Sequence, residues 1–452
     1  MSDSMKMSRN GKKKKIITKD MQGKLAFAVL VITLALFALV IVLYNQIKEK
    51  NEEYTRIVLK QHSSYDSRTL AYRRGDIVDR NGTYLATSER VYNLILDPHQ
   101  ISKESEKYLE PTVSALCEVF GYDRQEILNI FTSNPDSYYV KYATQLSVED
   151  KEAFETKKSE MNKQYSDEGK KLRVKGVWFE EEYRRFYPYG SLACNVVGFS
   201  FDKGKQGSGG IEQYYNDDLI GTDGREYGYL DNESNMERVI KPAENGNTIV
   251  STIDANIQKI AEKYIDEWMN GIGSQTAAVL IMNPNNGEIL AMASNRKFDL
   301  NDPRNLNVMY SQEEIDSMTE AEKTDAWNKM WRNFCISDSF EPGSPAKPLT
   351  VASCLEEGVI SPQETFVCDG GQDVGGYRIK CVSIYGHGIL NVEQSLMKSC
   401  NDVMMQIVSR LGIQKFIKYQ KLFGMGQKTG IDLPGEADAS ALVFNENTMG
   451  PT

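Results

Sequence analysis

Histidine is nearly missing from this sequence, with His62, His99 and His387 the only three in 452 residues. Seven cysteines are present (Cys117, Cys194, Cys335, Cys354, Cys368, Cys381 and Cys400), none in a C-x-x-C pair. These two absences argue against a zinc site and lead to the expectation of no metal and no cofactor. Internal repeats and low-complexity tracts are also lacking, which removes solenoid, collagen-like and disordered classes. Acidic residues outnumber basic ones in the body of the chain. The net charge is −10, yet residues 1–24 hold eight Lys/Arg against only Asp3 and Asp20. A basic tip on an acidic body excludes nucleic acid as the main partner, because phosphate binding needs cations on the folded face.

One thing the sequence does have is a long apolar run. Residues 25–44 carry no charge and little polarity beyond Thr33. As a helix the run spans roughly 30 Å, the thickness of a bilayer's hydrocarbon core. The preceding lysines favour a cytoplasmic N-terminus, which puts everything after residue 44 outside the cell membrane. A cleaved signal peptide is the rival, but the run is long and Tyr44-Asn45-Gln46-Ile47 offers no small-residue cleavage site. An uncleaved single-pass anchor is therefore expected. With 40% hydrophobic residues the remainder can build sizeable cores, and its length suits two or three domains.

Residues 45–71 read as a polar, helix-prone stalk. Arg74-Gly75-Asp76-Ile77-Val78-Asp79-Arg80-Asn81-Gly82 predicts a strand entering a tight Asn-Gly turn, with Tyr84-Leu85-Ala86 returning. Residues 100–170 are mixed and helical in flavour, and residues 184–199 are rich in aromatic residues, Pro and Gly. A domain boundary is expected near Asn245-Gly246-Asn247. Beyond it, 248–254 reads as a strand, 257–269 as a helix, and 277–282 and 288–293 as two strands joined by a turn, which together predict an α+β domain on an antiparallel sheet. Residues 312–329 read as a charged helical insertion. A last helical region over 401–423 is expected to break at Gly412. Cys368 and Cys381 flank a Gly-rich stretch that can fold back as a hairpin. They either pair in a disulfide or remain two small buried side chains.

The chemistry points to Glu341-Pro342-Gly343-Ser344-Pro345-Ala346-Lys347. Ser-x-x-Lys also occurs at Ser294 to Lys297 and at Ser395 to Lys398, so the letters alone do not choose. Context does: Pro342-Gly343 makes a turn, Ser344 suits an N-cap, and Pro345 suits the first helical position. Val351, Ala352 and Leu355 are expected on the buried face. This places a hydroxyl at a positive helix end with Lys347 one turn on. A serine needs a neighbour to take its proton, and a lysine with a lowered pKa can do so. A capped helix with a snorkelling lysine fits the same residues equally well. Downstream, Ser399-Cys400-Asn401 offers a hydroxyl and a carboxamide on a short loop, where Ser399 or Asn401 could equally be a plain N-cap.

Several ordered motifs break the tie. Phe340-Glu341-Pro342-Gly343-Ser344 after Trp331-Arg332-Asn333, His387-Gly388 ahead of Ser399-Cys400-Asn401, Thr252-Ile253-Asp254 with Gln258, and Asn283-Pro284 to Met292 resemble class B penicillin-binding proteins. In the first half so do Arg74-Gly75 to Gly82, Arg185-Phe186-Tyr187-Pro188 to Phe199, and Gly210-Ile211-Glu212 to Gly224. The resemblance implies an α+β chain: cytoplasmic tail 1–24, transmembrane helix 25–44, pedestal domain 45–246, and a penicillin-binding transpeptidase domain from 247 to 452 whose antiparallel sheet is flanked by helices. It implies peptidoglycan cross-linking from D-Ala-D-Ala stem peptides, with Ser344 as nucleophile, Lys347 as base, Ser399 as relay and Asn401 orienting the donor. Implied partners are stem peptides, β-lactams, the membrane and other wall-synthesis membrane proteins. Rival readings are a non-catalytic scaffold, a D,D-carboxypeptidase and a β-lactam sensor. Pro345-Ala346 departs from the family's usual Thr and bulkier apolar residue. Lys428-Thr429-Gly430 spells the family's third motif, but its surroundings resemble a separate surface segment. The strand bearing the true third motif is expected further downstream, so the domain reads as incomplete.

Overall fold

The computed structural model describes residues 65–201, 204–230, 236–445 and 448–449, together with Lys24, Phe27, Leu30, Val31 and 33–43. Residues 33–43 are helical and exposed. Among the described residues no helix is long and apolar enough to cross a membrane. The remainder of the expected span, the 1–24 tail apart from Lys24, and most of the expected stalk lie outside them.

The chain packs as two units, one joining residues 1–69 to 225–241 and the other comprising 70–224 and 242–452. In the first, Tyr65–Leu70, Gly224–Leu230 and Met236–Lys241 form a three-stranded sheet.

The second unit is α+β. Ile77–Val78 (β1) enters the turn at Asn81-Gly82 and returns as Tyr84–Leu96 (β2), as the Asn-Gly pair predicts. The Asp79 carboxylate closes this turn by accepting from the N–H groups of Asn81 and Thr83 at 2.8 and 2.7 Å. Its other oxygen accepts from Ala255 N–H at 3.0 Å. Although burial opposes it, these backbone donors hold the Asp79 pKa below the usual carboxylate value. The return strand outruns the expected three residues because its apolar content continues to Leu96, all of it buried from Val91 onward.

Helices Ser105–Phe120 (α1) and Val148–Asp167 (α2) pack with β2 around Leu94, Leu96, Val113, Leu116 and Phe154. Between them runs Val140–Leu146 (β3), a strand the helical flavour of this region concealed. Its Lys141, Thr144 and Gln145 are exposed and it has no fully buried residue, so its apolar signal is weak. Val177–Phe186 (β4) pairs with β2 from Thr87 opposite Phe186 to Leu96 opposite Val177.

Ile249–Val250 (β5) is shorter than the strand expected at 248–254, and it pairs in parallel with β1. The chain turns early because Asp254 caps Ala255–Gly271 (α3), accepting from Asn256 and Ile257 N–H. Gly75 makes the neighbouring approach possible, since a Cβ there would lie 1.8 Å from Asn247 O. The expected antiparallel pair is Ala278–Met282 (β6) with Ile289–Ser294 (β7). Gln258 joins α3 to it, donating to Met292 O and accepting from Met292 N–H. The charged insertion forms two helices, Gln312–Ser317 and Glu320–Trp331, each opened by a capping box.

Three distant stretches meet at Glu212, which is fully buried. Its carboxylate accepts from Arg74 Nε at 2.8 Å, Arg185 Nε at 2.6 Å and the Tyr187 hydroxyl at 3.1 Å. Arg74 also donates to Gly204 O, and Arg185 to Gly75 O. Removing the shared anion strands two buried guanidinium groups, a loss of about 3–5 kcal/mol. Glu212→Ala is therefore expected to lower the unfolding free energy by that amount, read as a lower urea midpoint. Equal urea midpoints for variant and wild type would show that this cluster does not support the fold.

Candidate active site

The loop before Ser344 turns on Gly343, whose φ of 61° suits a residue without a side chain. Ser344–Ala346 then forms a single 3-10 turn running into the helix Lys347–Glu356 (α4). This corrects the expectation that Ser344 is the N-cap. Gly343 occupies that position and Ser344 makes no capping bond, so its hydroxyl is free to face a neighbouring loop. The buried face of α4 is also rotated from the expected one. Val351, Ser353 and Cys354 are buried, whereas Ala352 and Leu355 are exposed, because Val351 and Cys354 pack on Val403, Met404 and Ile407.

Four strands and two helices complete the frame. Thr365–Cys368 (β8) pairs with Gly388–Asn391 (β11), Cys368 lying opposite Gly388. Gly371–Val374 (β9) and Tyr377–Lys380 (β10) form the hairpin expected between Cys368 and Cys381. Val392–Met397 (α5) leads through residues 398–400 into Asn401–Leu411 (α6), and Gly412 at φ 78° ends α6 where the break was expected. Ser399 sits at φ 49°, held by N–H donation to Leu396 O, and the following Cys400 N–H donates to Ser395 O. The cap of α6 is Cys400, whose Sγ accepts from Val403 N–H. Neither Ser399 nor Asn401 caps it, which leaves both polar groups for the site.

The structure brings all four candidate residues together. Lys347 Nζ donates to Ser399 O at 2.8 Å, to Ser399 Oγ at 2.9 Å and to Asn401 Oδ1 at 2.6 Å. Ser399 Oγ donates in turn to Ser344 Oγ at 2.9 Å. The expected link between Ser344 and Lys347 therefore runs through Ser399. Desolvation lowers the Lys347 pKa from the ordinary lysine value, outweighing the opposing pull of Cys381 and Cys400. A partly neutral lysine next to a hydroxyl pair can accept a proton, so the arrangement activates an oxygen nucleophile.

Asp402 was not anticipated. Fully buried, it accepts from Asp369 N–H at 3.0 Å, Gly371 N–H at 3.2 Å, Gln372 Nε2 at 2.6 Å and Gln406 Nε2 at 2.7 Å. It ties the β9–β10 hairpin to the start of α6, directly beside Asn401. The only signal in the sequence was an acidic residue in a first helical turn, which is common without such a role.

Of the two readings of Cys368 and Cys381, the structure bears out two small buried side chains, and all seven cysteines are free. Cys368 Sγ instead lies 3.6 Å from His387 Nδ1, and Cys381 Sγ lies 3.7 Å from both His387 Nδ1 and Cys400 Sγ. Lys428-Thr429-Gly430 lies in a loop, where Glu436 accepts from the Thr429 hydroxyl at 2.7 Å and from the backbone N–H of Thr429 and Gly430. It is not on a strand, as its sequence surroundings indicated.

Residues 277–448 match the penicillin binding protein transpeptidase domain family, and residues 69–251 the penicillin-binding protein dimerisation domain family. The chain is 30% identical to stage V sporulation protein D of Bacillus subtilis, over 85% of this chain and 54% of that one. It is 27% identical to the peptidoglycan D,D-transpeptidase FtsI of Buchnera aphidicola subsp. Schizaphis graminum, over 82% of this chain and 60% of the relative. The chain thus spans a little over half the length of these curated relatives. Among solved structures, penicillin-binding protein 2X from Streptococcus thermophilus shares the fold at a TM-score of 0.64 and 22% identity, covering 85% of this chain and 55% of that one.

Asp402→Ala is expected to release the hairpin from α6, at about 1–3 kcal/mol for each buried N–H left unpaired. Amide hydrogen exchange at Asp369 and Gly371 should accelerate accordingly. Unchanged exchange at both amides would mean that the carboxylate does not hold this turn.

Proposed function

Because the chain belongs to the class B penicillin-binding proteins, we propose that it cross-links peptidoglycan as a serine D,D-transpeptidase. The observation that carries this reading is the hydrogen-bonded series Lys347–Ser399–Ser344. Ser344 Oγ attacks the carbonyl of the penultimate D-Ala of a stem peptide. Its proton passes through the Ser399 hydroxyl to Lys347 in its neutral form. The tetrahedral intermediate collapses to an acyl-enzyme, and the terminal D-Ala leaves with a proton returned through Ser399. An amine of a neighbouring stem peptide then attacks the acyl carbonyl. Its proton passes through Lys347 and Ser399 to Ser344 Oγ as the ester bond breaks, which closes the cross-link and restores Ser344.

Asn401 has two tasks in this reading. Its Oδ1 holds Lys347. Its Nδ2, whose one partner among the described residues is Lys380 O at a long 3.5 Å, is offered to the donor peptide. The Ser344 backbone N–H supplies one oxyanion donor, worth about 2.7–4 kcal/mol where such donors have been removed. β-Lactams present a strained amide to the same hydroxyl and acylate it by the same path.

Residues 25–44 anchor the protein in the cell membrane, with residues 1–24 cytoplasmic and the catalytic domain outside. The unbroken uncharged run and its basic flank support this reading. Partners are other membrane proteins of wall synthesis. A solved complex of a Helicobacter pylori penicillin-binding protein with MreC, sharing this fold at a TM-score of 0.59, supports looking for them.

A fluorescent penicillin should label the purified full chain covalently, and Ser344→Ala should abolish the label. Lys347→Ala should slow acylation by about 10²–10⁴-fold, the usual contribution of a positioned base. Label retained in Ser344→Ala would refute the nucleophile assignment. Acylation should also rise with pH, because Lys347 must shed its proton to act, and its lowered pKa puts the midpoint below the ordinary lysine value of 10.5. A rate independent of pH up to that value would remove Lys347 as the base.

A further inference from the structure

Behind the Ser399-Cys400-Asn401 loop lies a cluster that the proposed chemistry does not use. Cys368, Cys381, His387 and Cys400 each present one donor atom, and all four atoms lie within 4.8 Å of one another. The three cysteines are buried and His387 is half-buried. Two bonds of the fold bring them there from a 33-residue stretch. Pairing of Cys368 with Gly388 sets His387 beside Cys368, and Cys381 N–H donation to Gly370 O at 2.9 Å returns Cys381 past the hairpin to the same point. Cys400 arrives from the other side as the cap of α6.

Three of the six separations match a tetrahedron around a metal ion, and all six lie within 4.8 Å. With Zn–S near 2.3 Å and Zn–N near 2.0–2.1 Å, tetrahedral zinc sets its sulfurs about 3.8 Å apart and sulfur and nitrogen about 3.5 Å apart. Cys381 and Cys400 sulfurs are 3.7 Å apart, and the two sulfur–Nδ1 distances are 3.6 and 3.7 Å. A cluster of this kind otherwise has little reason to leave three thiols and an imidazole nitrogen facing one point, with only weak sulfur hydrogen bonds between them.

We propose that Cys368, Cys381, His387 Nδ1 and Cys400 bind one zinc ion, a closed structural site that locks the loop carrying Ser399 and Asn401. Three thiolates and neutral histidine around Zn²⁺ complete a four-coordinate shell with no open position, so the ion shapes the site without entering the reaction. Binding releases the three thiol protons to solvent and exchanges the hydrated ion's waters for the four protein donors. Cys400 is the link to chemistry, because its neighbours on either side are the two residues that hold Lys347.

The test uses the full chain, purified in detergent under reducing conditions without chelator. Elemental analysis should find about one zinc per chain, falling to a small fraction of that in Cys381→Ser and in His387→Ala. Cys354→Ser, a buried thiol outside the cluster, should keep its zinc and controls for general misfolding. Without any substitution, Co²⁺ exchanged into the wild-type chain should give the intense visible bands of tetrahedral thiolate coordination. Chelation should lower the melting temperature and slow acylation by the fluorescent penicillin together. Three results would overturn the proposal: zinc content unaffected by both cluster substitutions, octahedral cobalt spectra, or a metal-free chain with a Cys381–Cys400 disulfide by mass spectrometry. The metal readouts do not depend on acylation, so the zinc site and the transpeptidase reading can fail separately.

Discussion

A single buried carboxylate ties together three distant stretches of the larger unit. Glu212 has no access to solvent, so it is tolerable only because Arg74 and Arg185 neutralise it and Tyr187 completes its hydrogen bonding. That requirement brings residues 74, 185–187 and 210–212 to one point and fixes the approach of the 246–247 chain against Gly75. From there the order passes to β5 lying along β1, and to the Asp79 carboxylate that meets the first turn of α3. Ile77, Leu219, Ile253 and Met292 share one apolar cluster, so the β6–β7 pair is held by the same packing as the stretches around Glu212.

The site itself is organised around a cation short of water. Lys347 spends its N–H groups on Ser399 and Asn401, and its partial burial keeps it closer to neutrality than a surface lysine. Ser399 takes a left-handed backbone conformation that side chains other than glycine rarely adopt. Three adjacent bonds hold it there: Leu396 O and Ser395 O accept from the loop, and Cys400 caps α6. The strain directs the Ser399 hydroxyl between Lys347 and Ser344, where a conventional N-cap would have turned it into the helix.

Much of this was legible in advance because local chemistry decides it. Asn81-Gly82 has few alternatives to a tight turn. The apolar spacing from Ile257 to Met269 and from Val403 to Leu411 reads as helix in any context, and Gly412 ends a helix for reasons internal to itself. The four candidate residues were found from motif order and context, and the fold gathers them. Errors arose where a local rule had two solutions. Ser344 and Ser399 are both good capping residues, yet Gly343 and Cys400 take the caps, because the hydroxyls have a better use in each other's company. The β3 strand was hidden because a strand exposed along much of its length lacks the alternation that announces one.

By itself the sequence determined the family, the α+β character, many of the helices and turns, and the choice of Ser344, Lys347, Ser399 and Asn401 as candidates. These follow from short-range periodicity, turn chemistry and ordered motifs, all of which are written along the chain. Tertiary structure alone decided that Arg74, Arg185 and Glu212 form one buried ion cluster, that Asp402 clamps the hairpin, and that Ser399 stands between Lys347 and Ser344. It also decided that Cys368, Cys381, His387 and Cys400 converge without any metal-binding spacing in the sequence. Each of these depends on which side chains meet across strand registers and loop closures, and spacing along the chain does not encode distance across the fold.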